Sequence, residues 1–158
     1  NLGRALVSSF QSSWKVANLD ITPNEQAHLN LQAKELPKAE DVEPIINSLT
    51  RFSGKLDAIL CISGAEVMGS FKDSKILNDY EYLRRASVIP PMVGAHLATK
   101  LLNENGLLVF AGHGRVQKPP TPQSLVLGVT KTAAHALAMN MACRVDIAKT
   151  STVVTLLQ

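Results

Sequence analysis

Apolar residues recur with two alternating periods along this 158-residue chain. In "LGRALVSSF", Leu2, Ala5, Leu6 and Phe10 fall at helical spacing. "WKVANLDI" predicts a strand from Trp14 to Asp20, closed by the turn residues Thr22, Pro23 and Asn24. "HLNLQ" predicts a short strand after it. "AEDVEPIINSLTRF" predicts an amphipathic helix whose early acids suit the helix dipole. Pro44, a few residues inside, moves the expected first turn slightly later. "LDAILCISG" is a continuous apolar run of strand length, the pattern of a strand buried on both faces in a parallel sheet. "NDYEYLRRASVI" and "MVGAHLATKLLNEN" read as one long helix interrupted at Pro90 and Pro91. "GLLVFAG" predicts a second buried strand and "HGRVQKPPTPQS" a proline-rich loop. "LVLGVTKTAAHALAMNMACRV" predicts a helix and "TSTVVTLLQ" a β-branched strand. This alternation predicts an α/β fold with a doubly wound parallel sheet, Rossmann-type, over a single domain spanning residues 1–158. The chain opens on a helix pattern and closes on an uncovered strand. A first strand and a C-terminal portion are therefore expected outside it.

Composition narrows the class. Hydrophobic residues make up 46% and charged residues 18%, which fits a folded globular chain and excludes a disordered one. The net charge of +3 is mild, and Lys and Arg are scattered among acids, so nucleic acid is not indicated as a partner. No apolar run approaches the ~20 residues of a membrane span. Cys61 and Cys143 lie in separate apolar runs without metal-binding spacing, as reduced core cysteines of an intracellular protein would. The expected compartment is the cytoplasm, with the mitochondrial matrix as the alternative.

Four short stretches carry candidate chemistry. "NLG" opens the first helix, and "VANLDIT" sets Asp20 at the end of the following strand. "LDAILCISGA" ends a strand in Ser63, Gly64 and Ala65, and "LGVTK" lies in a helix after a strand and a loop. This order resembles the short-chain dehydrogenase/reductase family. The wording of "LDAILCISGA", "AHLATKLLNENGLLVFAG" and "GVTKTAAHAL" resembles its dihydropteridine reductase branch, over nearly the whole chain. The resemblance implies NAD(H) as cofactor and a pterin as small-molecule substrate. Leu2 and Gly3 would belong to a pyrophosphate turn at the positive end of the first helix. Asp20 would accept hydrogen bonds from the adenosine ribose hydroxyls and repel a 2′-phosphate, favouring NAD(H) over NADP(H). An Asp that merely ends a strand is the competing reading. Ser63, Gly64 and Ala65 would form the loop beneath the cofactor, although small residues after a strand are also ordinary turn chemistry. Ser87 is the best match to a further polar position on the cofactor side, and a serine bonded to its own helix fits equally.

The resemblance also implies a Tyr-x-x-x-Lys pair, in which lysine holds the nicotinamide ribose and lowers the pKa of a phenol that donates the proton. Lys131 matches the lysine as both catalytic and cofactor-binding residue. The tyrosine position is Leu127, which carries no ionisable group. Ser124, three positions before Leu127, and His113, in the loop after the preceding strand, are candidate substitutes for the phenol. Tyr80 and Tyr82 read as surface or packing residues. His96 and His135 read as helix histidines with no companion at metal spacing, so no metal is expected. The small residues of Gly94–Ala98 and Ala133–Ala138 invite close helix packing; the resemblance implies a homodimer interface there, and packing within one chain would use them equally.

Two readings follow. The first is an NADH-dependent reductase of quinonoid dihydropterin, slowed by Leu127. The second is a catalytically inactive homologue that serves as a structural or assembly subunit of a larger protein complex, a mitochondrial one included. Leu127 and the basic "HGRVQKPP" loop favour the second, and Asp20 with Lys131 favours the first.

Overall fold

Helices and strands alternate in the predicted order in the computed structural model, which describes residues 2–114, 121–143 and 152–156. Residues 115–120, half of the predicted proline-rich loop, lie outside the described residues, as do Asn1 and the predicted end of the last long helix. The chain divides into two compact units, Asn1–Leu56 and Asp57–Gln158.

The first unit holds α1 (Leu2–Phe10), β1 (Ala17–Asp20), β2 (Leu29–Gln32) and α2 (Ala39–Ser53). The expected strand from Trp14 begins only at Ala17. The amide of Trp14 still bonds the carbonyl of Phe10 at 2.9 Å, so the turn closing α1 overrides the β-forming side chains. β1 and β2 pair in parallel with Asn18 opposite Asn30. Parallel neighbours are usually joined through a crossover helix, yet here residues 21–28 contain none. Side chains satisfy that loop instead. Asn30 Oδ1 accepts from Asn18 Nδ2 at 3.1 Å and from the Asn24 amide at 2.8 Å, while Asn30 Nδ2 donates to the Asn24 carbonyl. The start of α2 is not delayed by Pro44. Asp41 accepts the Lys38 amide at 2.9 Å and an ion pair from Lys34 at 2.6 Å, fixing the first turn ahead of the proline.

The second unit carries β3 (Leu56–Cys61, its first residue shared with the other unit's boundary), α3 (Ile76–Ser87), α4 (Ile89–Leu101), β4 (Leu102–Ala111), α5 (Leu125–Ala142) and β5 (Thr152–Leu156). Its strands lie in the order β3-β4-β5, with β4 and β5 parallel. β4 is central, and Leu108 to Ala111 on it are all buried. β3 is an edge, and Asp57 and Ala58 on it are exposed, so its apolar run is not buried on both faces throughout. Pro90 and Pro91 do break the long helix, with Val88 as the joint and both prolines in the first turn of α4, where amides need no helical partner. α4 stops at Leu101, short of the predicted "NEN". Leu102 turns extended, and Asn105 takes left-handed backbone at φ 62°, which asparagine tolerates better than most residues.

The core of this unit joins Cys61, Ala95, Ala98, Leu108, Phe110, Ala134, Ala138 and Met141. Alanines of α4 and α5 are thus consumed by packing inside the chain. Gly94 lets α4 approach β3 so closely that a Cβ there would fall on Cys61 Sγ. Burial pushes the Cys61 thiol up to about 12, so it behaves as an inert apolar group.

Candidate functional site

The loop after β3 brings four of the predicted site residues together within the second unit. Gly64 stands against Lys131: a Cβ at position 64 would lie 2.5 Å from Lys131 Nζ and 3.6 Å from Ser87 Oγ. The Ala65 amide donates to Ser87 Oγ at 3.3 Å, so Ser87, 1% exposed, holds the loop from beneath. Ser63 Oγ is buried and has no hydrogen-bond partner among the described residues. A buried hydroxyl without a partner carries a desolvation penalty of about 1–3 kcal/mol, so it fits a place where a polar ligand approaches. Lys131 is 6% exposed, and burial pushes its ammonium below the ordinary lysine range, with a smaller opposing pull from Glu66. Small side chains, a hydroxyl and a desolvated amine therefore share one corner of the fold.

Position 127 is on the same helix, one turn earlier, and its surroundings are wholly different. Leu127 is 2% exposed and packs with Leu83 of α3 and Val126, under partly buried Ala65, Val67 and Ile76. The loop is further fastened by the Gly69 amide, which bonds the Gln123 carbonyl at 2.8 Å. Ala65 to Gly69 thus forms a strap across the start of α5, with Ala65 and Val67 turned to the apolar cluster and Glu66 exposed. Nothing in the spacing of "SGAEVMG" announced that strap, because its partners lie about sixty residues further on.

Of the two candidate substitutes for the phenol, Ser124 is engaged otherwise. Ser124 is buried and exchanges hydrogen bonds with Thr121 in the short turn Pro122–Ser124 that precedes α5. The His113 amide donates to His135 Nε2 at 3.2 Å, which gives His135 a backbone partner. His96, Tyr80 and Tyr82 are exposed. Among the described residues, no group of three His, Cys, Asp or Glu side chains is placed to hold a metal.

In the first unit, Leu2 and Gly3 open α1, as expected, where first-turn amides and the helix dipole favour anions. Asp20 ends β1 and is exposed, with Oδ1 accepting the Thr22 amide at 3.0 Å. One carboxylate oxygen therefore serves the turn, as the strand-ending reading anticipated, and the turn fixes the direction in which the group points.

No family model matches the chain. Solved structures show the fold. Over 99% of its length the chain matches a short-chain dehydrogenase/reductase from Serratia marcescens, with a TM-score of 0.82 at 19% identity, covering 68% of that chain. It matches a short chain dehydrogenase from Burkholderia cenocepacia, in complex with NADP, with a TM-score of 0.76 over the same shares. The chain has the short-chain dehydrogenase/reductase fold. Within that class, its sequence is similar to the dihydropteridine reductase of Dictyostelium discoideum, 26% identical over 142 residues. The match covers 89% of this chain and 61% of that protein, so the chain spans less than two thirds of its relative. The resemblance carried by "LDAILCISGA" and "GVTKTAAHAL" is borne out. No described helix is long and apolar enough to cross a membrane.

Proposed function

We propose that this chain is a dihydropteridine-reductase-like oxidoreductase that takes NAD(H) and acts on a quinonoid dihydropterin. The observation that supports this reading most is the convergence of Gly64, Ser87 and Lys131 on one corner, in a sequence similar to a dihydropteridine reductase. A reduced nicotinamide, when bound, supplies the hydride. On the second unit, Lys131 donates to the hydroxyls of the nicotinamide ribose, Ser63 and Gly64 give the ring a small-residue approach, and Ser87 fixes the loop through Ala65. On the first unit, Leu2 and Gly3 present the helix terminus to pyrophosphate. Asp20 takes the adenosine ribose and disfavours a 2′-phosphate, the basis for NAD(H) over NADP(H). Leu127 donates no proton. General acid catalysis contributes about 10²–10⁴-fold, so turnover falls by that factor, and binding falls much less.

The second reading is a catalytically inactive homologue retained as a structural or assembly subunit. It is favoured by the burial of Leu127 in a filled apolar cluster. Titration calorimetry separates the two. NADH should bind the chain with measurable heat, and Asp20→Ala should weaken NADH while narrowing its margin over NADPH. No heat with the intact full-length protein sinks the reductase reading.

A further inference from the structure

We propose that Lys131 is a nucleophilic amine site for small aldehydes, which it captures as an imine beneath the Ser63–Ala65 loop. The place in which the amine is held supports this site whether or not a cofactor binds. Lys131 Nζ occupies the space that a side chain at position 64 would fill, 2.5 Å from the place of its Cβ. Gly64 itself is exposed. No side chain at position 64 therefore stands against the amine, and a one- or two-carbon aldehyde approaching there meets only backbone. Lys131 as a whole is nearly buried, so a bulky carbonyl compound should reach it less readily than a small one.

The surroundings favour the chemistry. Lysines become nucleophiles when burial disfavours their charged form. Desolvation has that effect on Lys131, and the Glu66 carboxylate opposes it more weakly. Lys34 provides the contrast within the same chain, since its hydrogen bond to Asp41 holds its ammonium above the ordinary range. In the reaction the amine nitrogen adds to the carbonyl carbon and a proton passes from nitrogen to oxygen. Water then leaves as the C=N bond forms, with no change of oxidation state. On the same loop, the Ser63 hydroxyl is buried without a partner among the described residues.

The probe is limiting [¹³C]formaldehyde with cyanoborohydride at pH 7, which delivers hydride to the imine and fixes it as a methylamine. Peptide mass mapping then gives a rate for each lysine. The neutral fraction of an amine rises about tenfold for each pH unit by which its titration moves down. Lys131 should accordingly react faster than Lys34. Glu66→Gln, which removes the opposing charge at an exposed position, should speed Lys131 further. Pyridoxal phosphate, far bulkier, should label Lys34 and spare Lys131. Labelling of Lys131 no faster than Lys34 overturns the proposal, as does a slower rate in Glu66→Gln. Fast labelling that NADH suppresses supports both this site and the cofactor reading. Fast labelling that NADH leaves untouched supports the amine site while counting against cofactor binding.

Discussion

Restoring the phenol is the sharpest perturbation of this site, and the structure says what it should do. In Leu127→Tyr the new ring must enter the cluster of Leu83, Val126, Ala65, Val67 and Ile76, which already covers Leu127 to 2% exposure. Overpacking a filled core costs about 1–3 kcal/mol. A phenol hydroxyl left unpartnered among those apolar groups costs about 1–3 kcal/mol more, so the total is about 2–6 kcal/mol. For a chain of this size each kcal/mol lowers the melting temperature by about 2–4 °C, giving a fall of at least roughly 4 °C. The single variant should therefore melt earlier and reduce quinonoid dihydropterin little better than the parent chain.

Trimming the strap should change that outcome. Val67→Ala opens space next to Leu127 and leaves the Ala65 amide on Ser87 and the Gly69 amide on Gln123. Leu127→Tyr with Val67→Ala should regain stability relative to Leu127→Tyr alone. With the phenol one turn from Lys131, NADH oxidation should rise by about 10²-fold or more over the parent. Melting followed by circular dichroism, with turnover followed by NADH absorbance, gives both readouts. The reasoning is refuted if Leu127→Tyr melts with the parent chain, or if the two substitutions simply add in a double-mutant cycle.

The remaining expectations concern packing and protonation. Gly94→Ala should destabilise by about 1–3 kcal/mol, because its Cβ would fall on Cys61 Sγ; adding Cys61→Ala should recover much of that in a urea titration, and strict additivity would show that α4 and β3 do not meet there. Lys131 gives a pH signature. Its folded-state pKa is lowered from 10.5, so the unfolded chain binds the extra proton between the two values and stability rises with pH across that window. Lys131→Met should remove the rise, its stability advantage over the parent shrinking from pH 7 toward pH 10.5; a difference that stays flat would show the amine is not desolvated.

Which features could be read in advance follows from how local their physics is. The break at Pro90 and Pro91 depends on missing amides and ring sterics, and α1 and α5 depend on a repeat of a few residues. All three stand where the sequence put them. The strand expected from Trp14 failed because the turn at the end of α1 claims the Trp14 amide, a competition that β propensity does not register. The asparagine network of Asn18, Asn24 and Asn30 replaces a crossover helix and shows no periodicity to read. At the candidate site, residue types were legible and their engagements were not. Ser87 and Ser124 both looked available as hydroxyls, and each is taken up by a neighbouring backbone group. Leu127 was visible as a missing phenol. That it is a buried packing residue depends on a strap about sixty residues earlier in the chain.

That difference bears on what the site is for. Leu127 and Lys131 lie one turn apart on α5 and pull stability in opposite directions. Full burial of a leucine contributes about 1.5–3 kcal/mol, so position 127 strengthens the fold at the place where the resemblance implies a proton donor. Lys131 does the reverse: an amine withdrawn from water, in contact with Gly64, weakens the folded state near neutral pH. A helix selected for packing alone would carry an apolar residue at both positions. Local choices that oppose stability are expected at functional sites. The titratable group in this corner is accordingly the amine, and experiments on Lys131 test a functional role more directly than experiments at position 127.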